Sequence, residues 1–299
     1  MPDFDWNDLR AFLAMARTGR LTVAARQLGV DHSTLSRRIS GLEAALGAPL
    51  FERRPVGFVL TSEGEQLLPD AEEMEALALR LHGRLSEAEQ NLSGSVRVGS
   101  PEGFGTYFIA PRLATLAASH PRLEIELVAT PRSFSLSKRE ADLAITMTRP
   151  AQGRVYAHKL VDYALGLYAS PSYLDKHDAI HQREDLAAHR WIGYVEDLMW
   201  TDQLDYLPQV QRGLRPHLRV SNVISQMTAV AGGAGLGVLP HFMGRHHPDL
   251  VPVLADKVRL IRSYWRVTHE DTHELARVRR TTEFLDDQVQ AAGDDFWLD

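Results

Sequence analysis

The segment His269-Glu270-Asp271-Thr272-His273 sets two imidazoles four residues apart, with a glutamate beside the first. On one formed helix such an H-E-x-x-H pattern holds zinc between the histidines, and the glutamate activates a water for hydrolysis. That chemistry needs a helix under both histidines and a third ligand beyond them. The neighbouring residues read otherwise. Residues 258–267, VRLIRSYWRV, have the composition of a strand, and the last helix is expected over about 272–291, with Leu275, Val278, Leu285 and Val289 on one face. The motif then straddles a strand-to-helix junction, with Asp271 as N-cap and Glu274 at the third helical position. Ala276 and Arg279 stand where a metzincin would carry glycine and its third histidine. His241, His246 and His247 read as surface residues. No Ser/His/Asp order, phosphate-binding loop or G-x-G-x-x-G after a strand offers another catalytic reading, so no enzyme, metal or cofactor is expected.

A second set of side chains suits a different chemistry: His32, Ser33, Ser36, Arg37 and Arg38 are hydrogen-bond donors gathered on one short segment. Trp6, Leu9, Phe12, Leu13 and Ala16 give a first amphipathic helix, stopped by Gly19. A second helix is expected from Thr22, as N-cap, to Gly29. A third runs from the Asp31 cap to Gly47 with Leu35, Ile39, Leu42 and Leu46 buried. Ala25 is small where two helices must cross, and Gly29 suits the tight turn between them. Two short helices joined this way form a helix-turn-helix, whose second helix exposes the donors. PLFERRPVGFVLTSEG follows, and Arg53-Arg54 with Pro55-Val56-Gly57 read as a basic two-stranded wing.

The 299 residues, 44% hydrophobic and 24% charged, are enough for two or three domains with their own cores. There is no cysteine, which excludes disulfides and thiolate metal sites. A net charge of −6 argues against nucleic acid coating the whole surface but leaves a local basic face open. MPDFDWNDLR has no apolar core of a secretory signal, and no run approaches the ~20 apolar residues of a membrane helix, so a cytoplasmic protein is expected. A long helix should start at Ser62, in a capping box with Glu65. Leu67, Ala71, Met74, Ala78, Leu81, Leu85, Ala88 and Leu92 step along it by fours and threes, as in a coiled-coil seam, and Pro69 should kink it. After the linker 91–95 the pattern alternates strands and helices: strands at 96–99, 123–129, 142–146 and 158–161, a helix at 104–118, and a second α/β unit from 163.

Residues 9–67 closely resemble the N-terminal domain of LysR-type transcriptional regulators. The matching positions are Ala24-Ala25, Leu28-Gly29-Val30, Ser36-Arg37, Leu42-Glu43, Leu46-Gly47, Leu50-Phe51-Glu52-Arg53, Leu60-Thr61 and Gly64. Gly94 to Gly99, Pro121, Ala141 to Ile145, Tyr168 to Pro171 and Gly235-Leu236-Gly237 extend the likeness more loosely. The resemblance implies an all-α winged helix-turn-helix, a dimerising linker helix and a two-subdomain α/β effector domain shaped like a periplasmic binding protein. The division is then 1–61 for DNA, 62–93 for the linker and 94–299 for the effector, with subdomain I at 94–162 and 268–299 and subdomain II at 163–267. It also implies a regulator that binds double-stranded DNA as a homodimer or homotetramer, answers to a small-molecule effector and meets RNA polymerase. Base contacts would come from His32, Ser33, Ser36 and Arg37, and phosphate contacts from Thr22, Arg38, Arg53 and Arg54. Effector contacts would come from strand ends: Ser100 and Glu102, Thr130 and Arg132, Thr148 and Arg149, faced by Ser221 and Asn222. The chain departs from the family in a short 130–141 segment and in His32, where glutamine is frequent. A solute-binding protein or enzyme on the same α/β core would leave residues 1–92 unexplained.

Overall fold

The computed structural model describes residues 4–55, 57–85, 92–131 and 140–297, with the backbone alone at 76 and 79–85. The chain divides into two compact units, Met1–Glu87 and Ala88–Asp299. In the first, α1 (Trp6–Thr18), α2 (Leu21–Leu28) and α3 (His32–Leu46) are followed by a hairpin of β1 (Phe51–Arg54) and β2 (Gly57–Leu60), then by α4 (Ser62–Leu85). All three short helices end on a glycine at positive φ, Gly19, Gly29 and Gly47, where any side chain would be strained. Leu35 and Ile39 of α3 pack on Ala14, Met15, Ala24 and Ala25, and the small Ala25 lets the helices approach. Leu42 joins Leu9, Phe12, Leu13, Leu50 and Ala71.

Two caps differ from the sequence reading. Arg20, not Thr22, precedes α2, and no side chain caps that end. At α4 the cap is Thr61, whose hydroxyl accepts from the Gly64 N–H, while Ser62 donates to Glu63. Thr61 directly follows β2, and its N–H is held by the Leu50 carbonyl, which leaves its hydroxyl to serve the helix start. Helix α4 runs on through Pro69. Of the expected seam, Leu67 and Ala71 pack within this unit's own core, whereas Met74 and the neighbouring Leu77 are exposed. The side chains of Leu81 and Leu85, and all of Ala88, lie outside the described residues. Arg17 ties α1 to α4 through two bonds to Glu75, of 2.6 and 3.3 Å.

The second unit opens with β3 (Gly94–Pro101), followed without a break by α5 (Glu102–Phe104), a π-turn (Gly105–Ile109) and α6 (Ala110–Ser119). Then come β4 (Leu123–Thr130), β5 (Leu143–Thr146), β6 (Val155–Ala169), α7 (Pro171–Leu174), β7 (Ile192–Tyr194), α8 (Leu207–Val210), β8 (Leu218–Val220) and α9 (Val223–Ala231). β9 (Gly237–Pro240), α10 (His241–Gly244), β10 (Val251–Val253), β11 (Leu260–His269) and α11 (Ala276–Ala291) complete it. β3 lies parallel to β4 and β5. β11 runs antiparallel to β5 and β6, and β9 and β10 flank the far end of β6. β7 and β8 form a separate parallel pair.

The sequence pattern suggests two strands at 158–161 and 163–169, but β6 is a single strand of 15 residues. Its first half alternates in exposure and its second half is buried throughout, so the change of pattern marks coverage on both faces rather than a chain break. The register of β11 against β6 shifts between Tyr264 and Trp265, where β11 also begins to pair with β5 on its other side.

The last helix starts at Ala276, so Asp271 is not its N-cap and Glu274 not its third residue. The buried Asp271 carboxylate instead meets Arg154 at 3.2 Å, and hydrogen-bonded turns occupy 269–275. His269 ends β11 and accepts the Asp271 N–H; His273 sits in the turn and donates to the Glu270 carbonyl. The two histidines share no helix. Among the described residues, no three His, Asp or Glu side chains are grouped to hold a metal.

His241, read from sequence as a surface residue, is 2% exposed. Its Nδ1 lies 2.7 Å from the Tyr168 hydroxyl, and a Cβ at Gly166 would collide with its ring. Desolvation, aided by Arg259 and Arg245, holds its pKa at about 4 against an ordinary 6.5. Between those values the unfolded chain binds a proton that the folded one refuses, so stability falls as pH drops through that window; above 6.5 both forms are neutral and nothing changes. His189, likewise lowered by burial, acts with the same sign. His241→Gln keeps a partner for Tyr168 and should reduce the loss of urea midpoint between about pH 7.5 and pH 5. An unchanged pH profile in that variant would contradict this account.

Candidate functional site

In the first unit the candidate residues cluster at the start of α3. Asp31 accepts the Thr34 N–H at 2.7 Å and the hydroxyls of Ser33 and Thr34 at 2.6 and 3.0 Å. These bonds, Ser33's above all, hold its carboxyl well below the usual carboxylate range. Because the Ser33 proton is committed to Asp31, this hydroxyl is left to face outward as an acceptor. His32 pairs with Ser36, and Ser33 with Arg37, as neighbours one turn apart, and all four are exposed. His32, Ser36 and Arg37 make no side-chain bond to another described residue. Arg38 is half-buried toward the flank of the helix.

In the wing, strand alternation sends Arg53 to the face opposite Arg54, which pairs with Glu52 at 3.1 Å. Thr22 is exposed in the first turn of α2, whose N–H groups no side chain covers. Residues 1–61 carry eight arginines and six acids, although the whole chain stands at −6. The segment that carries the exposed donors is thus net positive within a negatively charged chain.

In the second unit a cleft opens at the carboxyl ends of β3, β4, β5, β7 and β8, the usual place for a ligand in such sheets. Glu102, Ser221 and Asn222 line it, so the structure brings together three of the eight residues named for the effector. Asn222 also caps α9 by accepting from the Ser225 N–H. Ser100 is wholly buried behind the cleft, its hydroxyl donating to the Pro101 carbonyl. Thr130 precedes the lining residue Pro131, and its Oγ1 is buried without a partner among the described residues. Thr148 and Arg149 are exposed and do not line the cleft; the Arg149 guanidinium sits 5.6 Å from the Trp265 ring. Arg132, like most of the short 130–141 segment, lies outside the described residues.

Sequence reasoning missed the aromatic wall: Tyr163, Tyr194, Trp200, Tyr206 and Tyr264. Tyr163 and Tyr264 stack at 4.3 Å, and Tyr194 meets Tyr206 edge-on at 6.1 Å. Burial pushes all four phenols well above their ordinary pKa, so they remain neutral. The only sequence signal was aromatic residues in the middle of β6 and β11, and no local spacing links them to 194–206. A larger pocket of about 370 Å³ adjoins the cleft through Tyr194, Leu204 and Tyr206.

Comparison with known proteins agrees with both halves. Residues 6–65 match the family described as bacterial regulatory helix-turn-helix protein, lysR family, and residues 89–290 match the LysR substrate binding domain. Over 244 residues the chain is 32% identical to the HTH-type transcriptional regulator PtxR of Pseudomonas aeruginosa, covering 79% of this chain and 77% of that protein. The fold is similar to that of a full-length OxyR variant from Pseudomonas aeruginosa, with TM-score 0.72 and 20% identity over 96% of this chain and 95% of that one. It is also similar to CrgA of Neisseria meningitidis, with TM-score 0.59 and 24% identity over 96% and 99%. With a helix-turn-helix for DNA and a substrate-binding domain for a small-molecule effector, this chain belongs to the LysR family of transcriptional regulators.

Proposed function

We propose that the N-terminal end of α3 reads base edges in the major groove through His32, Ser33, Ser36 and Arg37, while Thr22, Arg38, Arg53 and Arg54 engage phosphates. The observation that carries this reading is the exposed strip of His32, Ser36 and Arg37, whose side chains bond to no other described residue, beside a firmly capped helix start. Arginine's fork suits guanine O6 and N7, and the uncovered N–H groups of α2 suit a phosphate oxygen. Residues 1–61 then form the DNA-binding part, 62–93 the linker and 94–299 the effector part. The cleft holding Glu102, Ser221 and Asn222 is the effector site. The regulator acts in the cytoplasm, as a dimer or tetramer in contact with RNA polymerase; no described helix is long and apolar enough to cross a membrane.

Footprinting on the DNA upstream of the protein's own gene tests the reading. Two protected half-sites should appear, separated by whole turns of about 10–10.5 base pairs, as a two-fold dimer requires. Absence of any protected site would count against it. Assembly has its own test on α4, where Met74 and Leu77 are 46% and 53% exposed. The double variant Met74→Asp, Leu77→Asp puts two charges where a partner helix would exclude water, and should raise the dimer dissociation constant about tenfold or more. Sedimentation showing an unchanged oligomer at low micromolar concentration would place assembly on other surfaces.

A further inference from the structure

Helix α5 opens directly onto the cleft, and its first residue is an acid. A helix start facing a ligand ordinarily favours an anion. Here the chain supplies its own carboxylate at that place. Oε2 of Glu102 is shut off from solvent and accepts no hydrogen bond from any described residue. Desolvation raises its carboxyl above the ordinary range. A carboxylate held this way is costly unless a cation meets it.

The walls suit that cation. Tyr163, Tyr206 and Tyr264 are 1%, 5% and 3% exposed, and Tyr194 and Trp200 complete the ring of aromatics. Ring faces attract ammonium groups electrostatically, most strongly where water is excluded. No Lys or Arg lines the cleft among the described residues. Arg262, 5.7 Å from the Tyr206 ring, is occupied by the carbonyls of Gln203 and Ile261 and by the side chain of Gln209.

We infer that the cleft takes a small organic cation, a primary or methylated ammonium, with its head between the Glu102 carboxylate and the Tyr and Trp rings. This rests on the reading of the cleft as the effector site. A neutral aromatic ligand would satisfy the rings but leave Oε2 without a counter-charge, and an anion would be repelled by it. The cleft that Glu102 lines has a free volume of about 40 Å³, the scale of a compact ammonium head, and a pocket of about 370 Å³ shares Tyr194, Leu204 and Tyr206 with it.

Ligand-observed saturation-transfer NMR on the full chain tests this, with methylammonium and trimethylammonium chloride as probes. Sodium acetate serves as the opposing charge and potassium chloride as the ionic-strength control. The ammonium probes should receive saturation and acetate should not. Glu102→Gln, which keeps shape and removes charge, should weaken ammonium binding about tenfold or more. Trp200→Leu, at a half-exposed position, should weaken it while leaving the carboxylate in place. Absence of transfer to either ammonium, or transfer undiminished in Glu102→Gln, would overturn the inference. Acetate binding that is blocked by Ser221→Trp would keep the effector site and remove its cation preference. Failure of the wild-type chain to select its operator would instead strike at the regulator reading.

Discussion

Phe104→Ala is expected to cost the effector-binding unit about 3–5 kcal/mol, the range for truncating a fully buried aromatic. Phe104 is 1% exposed, and its ring meets those of Phe108 at 4.9 Å, Tyr264 at 4.4 Å, Phe242 at 5.8 Å and Phe296 at 6.3 Å. These partners come from the π-turn, β11, α10 and the C-terminal segment, so no single shift can close the hole their loss would leave. The consequence reaches the cleft. Phe104 is two residues from Glu102, and a Cβ at the intervening Gly103 would meet Val223 and Met243 at 2.6 and 2.8 Å. α5 is therefore seated by close contact on one side and by the Phe104 ring on the other. Urea unfolding followed by tryptophan fluorescence measures the loss, and Phe104→Leu should recover a good part of it. A loss under about 1 kcal/mol for the alanine variant would mean that the aromatic cluster is not the keystone of this unit.

Arg37→Ala is expected to cost about 1–3 kcal/mol on the specific site and to flatten preference at one base. Arg37 stands one turn past Ser33 on the exposed strip of α3, on a helix whose opposite side is fixed by Leu35, Ile39 and Leu42. In the proposed reading its fork meets a base edge, so its loss removes contacts that only the right base can make. Arg53→Ala should behave differently. A wing residue on a phosphate carries no sequence information, so affinity should fall alike on all sequences, and the slope of log K against log salt should shrink by about one unit. Titrating both variants on single-base operator mutants separates the roles. Equal loss of specificity in both would sink the assignment.

The helix-turn-helix was readable from sequence because its determinants are local. Gly19, Gly29 and Gly47 stop three helices, Asp31 starts one, and the apolar stripe of α3 falls where a period of 3.6 puts it. Caps were misplaced where two adjacent residues have similar chemistry: Thr61 and Ser62 both suit an N-cap, and only the end of β2 decides between them. Asp271 had the right chemistry for a cap, yet an arginine 117 residues away claims it. The continuity of β6 was hidden because a one-faced strand and a two-faced strand have different periodicities. The cleft was the least legible feature. Strand-end reasoning found Glu102, Ser221 and Asn222, but the tyrosine wall assembles from β6, β11 and the 194–206 region through tertiary packing alone. Ser100 obeyed the same strand-end rule and is buried behind the cleft.

The central claim is that α3 selects DNA by sequence, and equilibrium titration of the wild-type chain tests it most directly. The footprinted operator and a scrambled duplex of equal length and composition are compared across a range of salt. The account predicts binding to both that weakens as salt rises, with the operator preferred by about a thousandfold or more at physiological ionic strength. Equal affinity for the two duplexes at every salt concentration would contradict it.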